Sequence, residues 1–98
     1  MTFSATILLV EDDQALLDGI ADLLEITDMG YDLEVLKAAN GQAGLQVLAS
    51  QIPDLIISDI RLPGRSGVDW VSELRDQDRL TPVIFMTAHY SEFHGGRR

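Results

Sequence analysis

Three carboxyl groups that follow short apolar runs are the residues of this chain best suited to chemistry. Glu11 and Asp12 come directly after Thr6–Val10, and Asp59 comes directly after Leu55–Ser58. Thr87 closes a third run, Val83–Thr87, with Ala88 beside it. Like charges held a few ångström apart repel, which raises a pKa or calls for a cation. Hard oxygen ligands suit Mg²⁺, with Mn²⁺ as a substitute; Mg²⁺ takes one or two carboxylates, several waters and a phosphate oxygen. A carboxylate can also attack phosphorus and form an aspartyl-phosphate. The Thr87 hydroxyl offers a hydrogen bond to a phosphoryl oxygen.

These residues meet only if the elements before them lie side by side. Thr6–Val10 is too short for a helix and apolar on both faces, as a central parallel strand should be. From Gln14 to about Thr27, Leu16, Leu17, Ile20, Leu23 and Leu24 recur at a helical period, with Asp13 placed as N-cap and Gly30 beyond the end. Leu33–Ala38 reads as a second strand and Gly41–Ser50 as a second helix, broken by Pro53 and Asp54. Leu55–Ser58 is a third strand, and 62–67 is a loop by its Pro and Gly content. Val68–Asp76 is a third helix with Trp70, Val71 and Leu74 facing the core. Pro82 opens the fourth strand, Val83–Thr87. Such alternation predicts an α/β fold, a doubly wound parallel sheet covered by helices on both faces. Ligands of such sheets sit beyond the carboxyl ends of the strands, where the strand order reverses. That rule selects Glu11, Asp12, Asp59, Thr87 and Ala88.

The runs ILLVEDD, LIISD, RLPGRSG and PVIFMTA, in this order and spacing over about residues 5–90, resemble the receiver domain of two-component response regulators. The resemblance implies a flavodoxin-like, CheY-like sheet, here with four strands in the order 2-1-3-4. It implies phosphorelay signalling: Mg²⁺-dependent transfer of a phosphoryl group from a histidine kinase or phosphotransfer protein to Asp59. Glu11 and Asp12 match the acidic pair that holds the metal, with Asp12 the direct ligand and Glu11 acting more through water. Arg61 matches the residue whose main-chain carbonyl joins them. Thr87 matches the switch hydroxyl and Ala88 the small residue that leaves the acceptor accessible. Pro63 and Gly67 match the loop forming the pocket wall. Kinase recognition would fall on the first helix, at Gln14, Ala15 and Leu17–Asp18.

The departures from the family pattern carry expectations of their own. The sole lysine, Lys37, falls in the second strand and cannot be the family's phosphoryl-pairing lysine. The fifth strand and last helix have no counterpart, so the 98 residues read as one receiver lacking both, with 89–98 a poorly ordered tail. The fourth strand is then expected to be an open edge that recruits a second copy of the chain.

Composition bounds the alternatives. The chain has 16 acidic and 7 basic residues, a net charge of −9, which argues against a nucleic-acid surface. No run approaches the ~20 apolar residues of a membrane span, so a soluble cytoplasmic domain is expected. With no cysteine there is no disulfide framework and no thiolate site. His89 and His94 lack the spacing of a helical metal pair and read as surface residues. A degenerate receiver, binding a partner without holding phosphate, is the competing function, and the missing lysine favours it. A haloacid-dehalogenase-type phosphohydrolase needs an aspartate where Arg61 stands, and a nucleotide-binding P-loop run is absent.

Overall fold

The apolar run Thr6–Val10 is the second part of a longer strand, β1 (Phe3–Val10). In this computed structural model, residues 3–27, 31–62, 64, 66–77 and 80–86 are described. β1 pairs in parallel along its whole length with β2 (Tyr31–Ala38), from Phe3 opposite Tyr31 to Val10 opposite Ala38. Both strands therefore begin earlier than Thr6 and Leu33, where the apolar runs place them. Parallel pairing consumes backbone groups whatever the side chains, so polar Ser4, Asp32 and Glu34 continue the ladder at its exposed end.

On its other side β1 pairs with β3 (Leu55–Asp59), and β3 pairs with β4 (Val83–Met86). The order is β2-β1-β3-β4, all parallel, which is the expected fold. Successive strand side chains point to opposite faces, so β1 feeds two cores. Leu8 and Val10 join Ile56, Leu48, Trp70 and Leu74 on one face, and Leu9 joins Leu17 and Ala21 on the other. Hence α2 (Gly41–Ser50) and α3 (Gly67–Asp76) cover one face, and α1 (Gln14–Ile26) covers the other. Trp70, Val71 and Leu74 are buried, as their spacing requires.

Each helix starts at a capping side chain. Asp13 accepts from the Leu16 N–H at 3.1 Å, Asn40 from Ala43 at 2.8 Å, and Ser66 from Asp69 at 3.1 Å. The Ser66 cap starts α3 at Gly67, one residue before Val68. Asp54 accepts from the Thr6 N–H through Oδ2 and donates its own N–H to the Thr6 carbonyl, both at 2.8 Å. That reciprocal pair sets the entry of β3 against β1. Among the described residues β4 has a neighbour on one side only, with Ile84 and Phe85 partly exposed. No described helix is long and apolar enough to cross a membrane.

Candidate functional site

The strand order reverses at β1, whose two neighbours are reached by crossovers in opposite directions. The carboxyl ends of β1 and β3 lie side by side there, with Val10 opposite Ser58. Glu11 and Asp12 leave one strand and Asp59 closes the other. One carboxylate oxygen from each of the three lies within 4.8 Å of the others. The sequence-predicted acidic cluster is therefore assembled.

The three groups differ in environment. Glu11 and Asp59 are fully buried, and Asp12 is exposed. The Glu11 backbone N–H donates to the Ala38 carbonyl at 3.0 Å, which carries the β1–β2 ladder one residue further. That tie turns the Glu11 side chain in under Asp13, whose N–H donates to Oε2 at 2.9 Å. Oε1 is buried and faces no hydrogen-bond donor among the described residues. Burial pushes the Glu11 pKa up to about 7; the Asp13 N–H opposes this, and the carboxyls of Asp12 and Asp59 add to it. Asp59 is held differently, since its Oδ1 accepts from the Arg61 N–H at 3.0 Å.

The loop after β3 folds back on Asp59. The Gly67 N–H donates to the Ile60 carbonyl at 2.6 Å, and Arg61 bridges Ser66. A Cβ on Gly67 would collide with the Asp59 carbonyl oxygen, so only glycine fits there. Gly64 turns the loop with φ of 80°. Pro63, Thr87 and Ala88, like His89, His94 and the rest of the expected tail, lie outside the described residues.

Lys37 lies on β2 and pairs with Asp18 at 3.0 Å, away from the acidic cluster, as its position in the sequence implied. This contact holds the Asp18 carboxyl below its ordinary range and the Lys37 ammonium above its own. Of the residues expected to meet a kinase, Gln14 and Ala15 are exposed and Asp18 is partly so. Leu17 is a correction: it is buried among Leu9 and Ala21, because its helical position faces the sheet. Two residues touching the site were missed as such. The Ser58 hydroxyl donates to the Asp59 carbonyl at 3.0 Å, and the Trp70 indole N–H donates to that hydroxyl at 2.9 Å. The available signals were a lone serine in an apolar strand and an indole N–H that burial obliges to find an acceptor.

Residues 7–97 match the family described as the response regulator receiver domain. The chain belongs to this family. Its members act in two-component phosphorelay signalling. The chain is 40% identical over 83 residues to the transcriptional regulatory protein AfsQ1 of Streptomyces coelicolor, covering 85% of this chain and 35% of that protein. It is 38% identical over 80 residues to the DNA-binding transcriptional regulator NtrC of Escherichia coli, covering 82% and 16%. The receiver thus spans about a third or less of these two relatives. Among solved structures, the receiver domain of a Francisella response regulator superposes with a TM-score of 0.76 at 23% identity, covering 95% of this chain and 76% of that one. A Clostridium thermocellum receiver domain gives a TM-score of 0.75 at 32% identity, covering 87% and 66%.

The donor set fits a hard divalent cation. Three carboxylates converge, one buried oxygen of Glu11 lacks a donor among the described residues, and a doubly charged ion would offset both the burial cost that chiefly raises the Glu11 pKa and the smaller repulsion from its neighbours.

Proposed function

We propose that these 98 residues form one phosphoacceptor unit in which Asp59 receives a phosphoryl group from the phosphohistidine of a histidine kinase or phosphotransfer protein in the cytoplasm. The observation that carries this reading is the convergence of Glu11, Asp12 and Asp59 within 4.8 Å at the reversal of strand order. An Asp59 carboxylate oxygen attacks phosphorus, the P–N bond breaks, and the imidazole leaves with its electron pair and takes up a proton. The product is an acyl phosphate on Asp59, which water later hydrolyses.

Asp12 and Asp59 would hold Mg²⁺, or Mn²⁺ in its place, with Glu11 acting through water and Arg61 through its main-chain carbonyl. When bound, the cation draws charge from the phosphoryl oxygens. The chain's own part is orientation: the Arg61 N–H fixes the Asp59 carboxylate, and the absence of a Gly67 side chain lets the loop close behind it. Thr87 is assigned the hydroxyl that bonds a phosphoryl oxygen, Ala88 the small residue that leaves room for it, and Pro63 with Gly67 the pocket wall.

The test is intact mass after incubation with Mg²⁺ and acetyl phosphate, beside Asp59→Asn. The expected result is a gain of one phosphoryl group, removed by hydroxylamine and absent from the variant. No gain in a chain shown by circular dichroism to be folded would overturn the assignment in favour of an interaction module.

A further inference from the structure

The peptide that follows Asp59 is fixed from several directions. Its N–H, on Ile60, donates to the Met86 carbonyl at 3.1 Å. Its carbonyl, on Asp59, accepts from the Ser58 hydroxyl at 3.0 Å. Gly67 packs against the same oxygen. The Ser58 hydroxyl in turn accepts from Trp70 Nε1 at 2.9 Å, and Ser58 and Trp70 are fully buried.

The polarity of this chain of bonds follows from the groups themselves. An indole N–H can only donate, whereas a hydroxyl has one hydrogen and two lone pairs. Once Trp70 occupies a lone pair of Ser58, the single hydroxyl proton is directed onward to the Asp59 carbonyl. Trp70 is itself clamped, with its ring lying 3.4 Å from where a Cβ on Gly44 of α2 would stand. The indole therefore brings the rigidity of the α2–α3 layer to one peptide plane of β3. That plane sets the direction in which the Asp59 side chain leaves the strand.

We propose that Trp70 and Ser58 are positioning residues for Asp59, acting as a directed hydrogen-bond relay that holds the acceptor carboxylate on the Arg61 N–H. This role deepens the reading of Asp59 as phosphoacceptor and rests on it for its purpose, but its geometry can be tested alone. The local reporter is the Arg61 amide, which reaches Asp59 Oδ1 at 3.0 Å. The reference is the Glu11 amide, bonded to the Ala38 carbonyl across the site.

The experiment follows hydrogen exchange of both amides by NMR in the metal-free chain, and phosphorylation by acetyl phosphate with Mg²⁺, in Trp70→Phe, Ser58→Ala, the double variant and Ser58→Thr. Trp70→Phe and Ser58→Ala are expected to speed Arg61 exchange at least about fivefold relative to the Glu11 amide, a loss consistent with one weakened buried hydrogen bond. They should lower the maximal phosphorylation rate by a similar factor without raising the donor concentration for half-maximal rate. The double variant should be no worse than Ser58→Ala, because a relay broken twice is broken once. Ser58→Thr, which restores a hydroxyl, should recover both readouts. Equal exchange ratios in all folded variants, or losses that simply add, would overturn the relay. If the parent chain takes up no phosphoryl group, the acceptor reading fails, and the exchange ratios still decide the positioning role.

Discussion

Glu11 combines full burial with a carboxyl group, and that combination makes stability depend on pH. Its pKa rises from an ordinary 4.5 to about 7 in the folded chain, chiefly through burial. The folded state therefore holds this proton more tightly than the unfolded state. The resulting stabilisation is complete below pH 4.5 and is lost as pH rises through 7, a difference on the order of 3 kcal/mol. Urea unfolding of the metal-free chain between pH 5 and 8 should show the decline, and Glu11→Gln should flatten this part of the profile. Mg²⁺ should recover stability at pH 8 in the parent but not in Asp59→Asn. Gly67→Ala is expected to cost about 1–3 kcal/mol, because the new methyl group meets the Asp59 carbonyl, a backbone atom that cannot swing aside. Denaturant midpoints would reveal this, and a variant as stable as the parent would remove Gly67 from the account. The acidic residues were legible in the sequence because each lies at or just beyond the carboxyl end of a strand. Ser58 was not, because period-two patterning says which face a serine occupies but not which atom its hydroxyl meets. Gly67 was readable as a turn residue and, by resemblance, as part of the pocket wall; its contact with the Asp59 carbonyl was not, since that depends on how the chain returns after β3.

At the level of elements, the helices declare themselves through caps and period, and the caps carry measurable energy. Asp13→Ala removes the side chain that accepts from the Leu16 N–H, leaving a first-turn donor to water. The expected loss is about 1 kcal/mol, read from equilibrium unfolding. Asp13→Ser should retain most of the stability, whereas equal losses in both variants would point to charge rather than capping. The α1 N-terminus also follows the acidic turn directly, so this cap fixes how Glu11 and Asp12 leave β1. Strand lengths were less legible than helix starts. Phe3–Ala5 and Tyr31–Asp32 extend β1 and β2 through mutual backbone pairing, which leaves little trace in an apolar pattern. The third and fourth strands, apolar and bounded by proline or aspartate, were placed to within one residue over their described lengths.

For the whole molecule, two opposing forces act at β4. Among the described residues its outer edge has no neighbouring strand, and Ile84 and Phe85 are 53% and 38% exposed. Unpaired strand backbone beside apolar side chains favours pairing with a second copy. The net charge of −9 opposes that meeting, since both copies carry the same sign. Charge repulsion between surfaces is screened over about 10 Å at 0.1 M salt and about 3 Å at 1 M, whereas apolar burial does not weaken with salt. Association should therefore be slight at low ionic strength and grow as salt rises, the reverse of an interface held by ion pairs. Sedimentation velocity from about 0.01 M to about 1 M salt would follow it. Ile84→Lys places a charge on the exposed edge strand and should keep the chain monomeric throughout. A monomer at every salt concentration would show that the edge is not adhesive, and undiminished association of Ile84→Lys would move the contact elsewhere on the surface.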